Sequence, residues 1–177
     1  MIKVKRIDHV AIAVGDRDAS ASLLAGLFAL ERGPEEHVAS QKTDVAFLHP
    51  AEAGSCDATA LELIAPAGND ALARFLDKRG PGLHHVCFEV DDLPGALASL
   101  KAAGVRLIDD VPRPGARGHQ VAFLHPASTG GVLFELCSHP SVSKSEPLSK
   151  SEPAPDSPSQ SPSATPSMAT PPHGAKA

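Results

Sequence analysis

Two histidines and two glutamates stand out because each type occurs twice at a related spacing. His9 lies in Ile7-Asp8-His9-Val10-Ala11, and His85 lies in Leu83-His84-His85-Val86-Cys87, 76 positions later. Glu62 lies in Leu61-Glu62-Leu63, and Glu135 lies in Phe134-Glu135-Leu136, 73 positions later. Two imidazoles and two carboxylates on rigid elements suit a five- or six-coordinate divalent cation with positions left open for water or a substrate. The set contains no thiolate, which argues against a structural zinc site. Taken singly, a strand histidine is usually hydrogen-bonded in place and a strand glutamate is usually solvated. Repetition changes that reading, since each pair is one position of a module seen twice.

The elements that must carry these residues repeat as well. Val45-Ala46-Phe47-Leu48-His49-Pro50-Ala51 recurs as Val121-Ala122-Phe123-Leu124-His125-Pro126-Ala127, again 76 positions on. The shorter offset of the glutamates implies three residues lost from a loop of the second copy. Each copy reads β-α-β-β-β. Residues 7–14 and 83–90 alternate and are rich in β-branched side chains, hence strands. Asp16 or Asp18 offers an N-cap to a helix over 19–30, and Asp92 with Pro94 opens a second helix that Gly104 ends. Three more strands are expected in each copy, over 34–38, 42–49 and 59–65, then over 105–109, 119–125 and 132–137. The fold class is α+β: two tandem βαβββ modules, at about 1–67 and 82–139, joined by a helix at about 69–79 within one domain of residues 1–139.

Strand alternation turns the repeat into a site. Val10, Ile12 and Val14 share one face, which packs under the helix, while His9, Ala11 and Ala13 share the other. The same parity puts His85, Cys87 and Glu89 on the second module's open face. Leu61 and Leu63 pack inward and turn Glu62 outward to the cleft, as Leu136 does for Glu135. A pseudo-twofold between modules then brings His9, Glu62, His85 and Glu135 together as metal ligands. His49 and His125 also repeat, but each precedes a proline at a strand end and reads as structural. His84 reads as a hydrogen-bonded core residue, and His37 and His139 stay unassigned.

Composition narrows the function classes. Sixteen Lys and Arg against 21 Asp and Glu give a net charge of −5, so no basic face is available for nucleic acid. No apolar run is long enough to span a bilayer, and no signal-like stretch follows the start. Three cysteines, Cys56, Cys87 and Cys137, form no close pair and read as free thiols in a cytoplasmic protein. From Ser141 onward, 10 Ser and 8 Pro occur among 37 residues, with no Phe or Ile. Such a stretch cannot offset the entropy of ordering it, so 140–177 is expected to be a disordered tail.

Over residues 1 to about 139 the chain resembles the vicinal-oxygen-chelate superfamily, and within it the methylmalonyl-CoA epimerase branch. The superfamily is carried by the strand-one motif at 7–14, by Leu61-Glu62-Leu63 and by Gly82-Leu83-His84-His85-Val86. The branch is carried by the long stretch from Arg113-Pro114-Gly115-Ala116-Arg117-Gly118 through His125-Pro126 to Phe134-Glu135-Leu136. The resemblance implies a 1,1-proton transfer at the carbon between a thioester and a carboxylate, assisted by a divalent ion (Co, Mn, Mg, Ni or Zn). It implies an acyl-CoA substrate, no nucleic-acid or membrane partner, and a homodimer. Glu135 matches the family glutamate that is both ligand and base. The family's second base corresponds to Val45, and valine cannot move a proton. Glu62 is the favoured substitute, with His119 a second candidate and Asp44 pointing to the wrong face. The family often has Lys where Ala127 stands. Rival readings are a lactoylglutathione lyase, a related acyl-CoA epimerase and a metal-free drug-sequestering module. An extradiol dioxygenase is disfavoured because it would use two His and one Glu.

Overall fold

The computed structural model describes residues 2–51 and 58–139. The expected tail at 140–177 and Cys56 lie outside the described residues. The first module comprises β1 (Val4–Ala13), α1 (Arg17–Phe28), β2 (Leu30–Val38), β3 (Thr43–Pro50) and β4 (Ala60–Pro66). A linking helix, α2 (Asp70–Arg79), leads to β5 (Gly82–Val90), α3 (Leu93–Ala102), β6 (Arg113–Pro114), β7 (Gln120–Leu124) and β8 (Phe134–Ser138). Each helix starts where a short polar side chain accepts a backbone N–H. Asp16 caps α1 through Ala19, Asn69 caps α2 through Leu72, and Asp92 caps α3 through Gly95, each at 2.9 Å. Chain reversal after α1 uses Ala29 in the left-handed region at φ 51°.

All eight strands form one mixed sheet in the order β2-β3-β4-β1-β5-β8-β7-β6. Within each module the first strand pairs parallel with the fourth, β1 with β4 and β5 with β8. The modules meet where β1 pairs antiparallel with β5. Away from the bulges of the β1–β5 ladder, alternation sorts side chains between the two faces. Val14, Leu48, Leu63 and Ala65 pack with Ala21 of α1, and Val90, Leu124 and Leu136 pack with Leu93 and Leu97 of α3. The opposite, inner face of the first module carries Ala11, Ala13, Val45, Phe47 and Ile64, covered by Leu72 of α2.

One expected strand is corrected. Residues 105–109 do not form a strand, and only Leu107 makes an isolated bridge, to Leu124. The reason is local. The Asp109 carboxylate accepts the Phe123 N–H at 2.9 Å, taking a donor that a neighbouring strand would use. The second module's edge is instead the two-residue β6, where Pro114 has no N–H to extend the ladder.

Candidate active site

The four repeated residues fall on the four central strands: Glu62 on β4, His9 on β1, His85 on β5 and Glu135 on β8. Register sets them in two rows across the sheet. Glu62, Ala11 and His85 are paired neighbours in one row, and His9, Cys87 and Glu135 in the next. The middle of each row is a small, fully buried side chain, Ala11 or Cys87, over which the longer side chains lean inward. His9 Nε2 lies 3.3 Å from each of His85 Nε2, Glu62 Oε2 and Glu135 Oε2. His85 Nε2 lies 2.7 Å from Glu135 Oε2 and 3.7 Å from Glu62 Oε2. All four residues are buried, with 4 to 6 % of their surface exposed.

The imidazoles are oriented by residues that alternation alone would send to the other face. The β1–β5 ladder slips at Asp8 and again at His84, so each becomes the extra residue of a bulge. Asp8 Oδ1 then accepts the His9 Nδ1–H at 2.9 Å, and His84 Nδ1 lies 2.9 Å from His85 Nδ1. The two orienting residues are themselves repeat-related, 76 positions apart. Asp8 also pairs with Arg117, with Arg6 at 3.0 Å and with His139 at 3.3 Å. Repeat symmetry extends to the walls: Phe47 meets His9 edge-on at 6.1 Å, and Phe123 meets His85 likewise at 5.1 Å.

This donor set fits a divalent cation. With Nδ1 of His9 donating to Asp8, its Nε2 carries a lone pair aimed at the convergence point. His85 can do the same when its Nδ1–H donates to a neutral His84. His84 is held neutral, its pKa lowered to about 4, first by burial and then by His85. Two lone pairs 3.3 Å apart beside two carboxylates repel unless a positive charge lies among them. The electrostatics of the site agree. Burial acts to lower the pKa of His9, yet the charge of Glu62 and hydrogen bonds with Asp8, Glu135 and Glu62 raise it well above the ordinary histidine value. Burial acts to raise Glu135, yet His85 and His9 bring it down to about 2. The Cys87 thiol is pushed up, first by burial and then by Cys137, and remains a neutral filler beneath the site.

The remaining histidines are placed elsewhere or at the margin. His49 stacks on Phe47, and His125 accepts the Ala127 N–H at 3.1 Å as the cap of a short turn. His37 pairs with Asp44 at 2.7 Å on the outside, which keeps Asp44 out of the cleft. His119 lines the cleft with Val45 and Val121, and burial followed by Arg117 and His139 lowers its pKa to about 4. Asp8 and Arg117 have no role in the sequence reading, although the repeat alignment of Asp8 with His84 holds a signal for the first.

Three cavities touch the site. One of about 20 Å³, room for a single ion or water, is enclosed by the four residues with Val45, Phe47, Ile64, Arg117, His119 and Val121 among its walls. A second, of about 640 Å³, reaches His85 from the α2 side between apolar Phe75, Val86 and Leu133, with Arg74, Lys78 and Arg79 lining it. A third, of about 690 Å³, reaches His85 between Leu72, Phe75 and Phe123, with Asp109 and Arg113 lining it.

Comparison with known proteins supplies the family. A family model described as Glyoxalase/Bleomycin resistance protein/Dioxygenase superfamily matches residues 8–123. The chain is 41% identical over 135 residues to an uncharacterised Bacillus subtilis protein, YqjC, covering 76% of this chain and 92% of that one. It is 36% identical over 136 residues to an ethylmalonyl-CoA/methylmalonyl-CoA epimerase of Cereibacter sphaeroides, covering 75% and 97%. A variant of the Streptomyces coelicolor methylmalonyl-CoA epimerase, solved in complex with 2-nitronate-propionyl-CoA, superposes with a TM-score of 0.72 at 34% identity, covering 77% of this chain and 98% of that one. With the family model spanning most of both modules and relatives of this similarity matched almost end to end, the chain belongs to the glyoxalase/bleomycin resistance protein/dioxygenase superfamily and, within it, to the methylmalonyl-CoA epimerases.

Proposed function

We propose that this chain is an isomerase that epimerises methylmalonyl-CoA by moving the proton on C2 from one face of the carbon to the other. The observation that carries the reading is the pair of repeat-related carboxylates, Glu62 and Glu135, both within 3.3 Å of one imidazole nitrogen in a buried cleft. Epimerisation needs one base on each face, and two carboxylates facing each other across a pseudo-twofold meet that need. In this reading one glutamate takes the proton, the other delivers one to the opposite face, and the roles reverse for the other epimer. Apolar Val45, Ile64 and Val121 exclude water from the cleft, which strengthens the electrostatic interactions within it.

His9, Glu62, His85 and Glu135 would hold a divalent ion, with Asp8 and His84 orienting the two imidazoles. When bound, such an ion supplies Lewis acidity toward the developing enolate. Its identity is left among Co, Mn, Mg, Ni and Zn. For the CoA portion, Arg74, Lys78 and Arg79 beside the larger cavity offer countercharge to phosphates. They stand in for the cation that Ala127 lacks. A cytoplasmic homodimer is part of the same proposal, checked by light scattering and fractionation.

The test is deuterium exchange at C2 of methylmalonyl-CoA in D₂O, followed by NMR on metal-loaded protein. Exchange above the uncatalysed control is expected, and Glu135→Gln and Glu62→Gln should each lower it by about 100-fold or more, the usual contribution of a general base. No exchange with any divalent ion would overturn the reading. In that case the symmetric Glu pair favours a lactoylglutathione lyase, which turnover of a glutathione adduct would reveal.

A further inference from the structure

The small cavity is roofed by a strap, residues 113–118, that leaves the second module and lies on the first. The Arg117 N–H donates to Glu36 Oε1 at 2.7 Å, and the Ser40 hydroxyl donates to the Pro114 carbonyl at 2.7 Å. Arg117 sits in the left-handed region at φ 56°, a conformation that a non-glycine residue adopts at a cost, and it projects its side chain into the cleft. It is the one Lys or Arg among the described residues that line the cavity shared with His9, Glu62, His85 and Glu135. Its guanidinium lies over the Phe47 ring at 4.2 Å, and Nη2 donates to Asp8. Nε is buried and has no hydrogen-bond partner.

A buried, unpartnered Nε–H on a guanidinium already fixed at two other points is a donor waiting for an acceptor. The planar fork of arginine suits a carboxylate, and the ring beneath and Asp8 beside it remove most of the entropy of presenting it. We infer that Arg117 reads the free carboxylate of the substrate's acyl group, so that it selects malonyl-type thioesters over those without a carboxylate. This rests on the reading of the site as one for a carboxylated acyl-CoA. Nε donates to the substrate carboxylate while Nη2 remains on Asp8. The cavity of about 20 Å³ must widen to admit an acyl group, and Arg117 stands in the wall that the group meets. Arg117 is a specificity residue and takes no proton.

Malonyl-CoA and acetyl-CoA differ by the carboxylate alone and carry no stereocentre to turn over. Their affinities for metal-loaded protein, measured by calorimetry, test the inference without relying on catalysis. The native chain should prefer malonyl-CoA. Arg117→Gln should cut that preference by about 10- to 100-fold, the worth of a charge-assisted hydrogen bond, while acetyl-CoA affinity stays within about twofold. Arg117→Lys, which keeps the charge beside Asp8 but loses the fork, should fall between, and it decides the matter if the Gln variant does not fold. An unchanged preference, or equal loss of both ligands, would overturn the inference. A native chain that shows no C2 exchange, yet loses its carboxylate preference in Arg117→Gln, would sink the epimerase reading and leave this one standing.

Discussion

At the residue scale, the chemistry depends on what stands behind each residue of the site. Asp8 is fully buried between two arginines and the His9 ring, so its charge is compensated three times over and its pKa is held well below the carboxylate range. Burial alone would have raised it, and the hydrogen bond with His9 and the charge of Arg117 outweigh that. Asp8→Asn should therefore do two things. It leaves Arg6 and Arg117 facing an uncharged amide, costing about 3 kcal/mol or more in urea unfolding. It also frees the His9 tautomer, weakening divalent-metal affinity by about 10- to 100-fold in a competition titration. The neutral histidines give a pH prediction. His84 and His119 have folded pKa values near 4, below the ordinary 6.5, so the folded chain prefers their uncharged form. That contribution is complete above about pH 6.5 and is lost as the pH falls toward 4. Imidazole NMR should show two rings titrating near 4, with the melting temperature falling over the same interval. Midpoints near 6.5 would mean that these rings are not buried as described.

At the element scale, the site is a product of register. Period-two alternation was enough to put Glu62 and Glu135 opposite their leucines and His9 opposite Val10. It failed at Asp8 and His84, because a bulge inserts one residue and turns it toward the face its neighbour already occupies. The strap is the other element that alternation could not supply. It is held close to β7: a side chain at Gly115 would begin 2.6 Å from Val121 Cγ1, and Val121 is buried and stiff. Gly115→Ala is expected to push the strap off and cost about 1–3 kcal/mol by overpacking. Thermal unfolding would register the loss, and a neutral result would show that the strap yields freely.

At the scale of the whole molecule, the two modules share one sheet and one site. The β1–β5 ladder is the seam, and each module contributes one His and one Glu across it. An ion bound there crosslinks the halves, so saturating divalent metal should raise the melting temperature. At 100 times the dissociation constant the gain is about 2.7 kcal/mol. The rise should grow with the logarithm of the free metal concentration, vanish with chelator, and be largely absent in Glu135→Gln. Among the described residues, no helix is long and apolar enough to cross a membrane.

The sequence by itself was sufficient for the duplication, the α+β class, most strands and helices, and the four residues that converge. Those follow from periodicities and offsets that any pair of identical modules must share. Residues 105–109 satisfy alternation at Val105 and Leu107 yet form no strand, because the Asp109 side chain takes the backbone donor that a strand there would need. The orienting roles of Asp8 and His84 and the roof formed by Arg117 were decided only in three dimensions. Each depends on a departure from regular geometry: a bulge in one case, a left-handed residue far along the chain in the other. Local pattern encodes which face a side chain takes in an ideal strand. It does not encode where the ladder slips, or which distant loop comes to rest over the cleft.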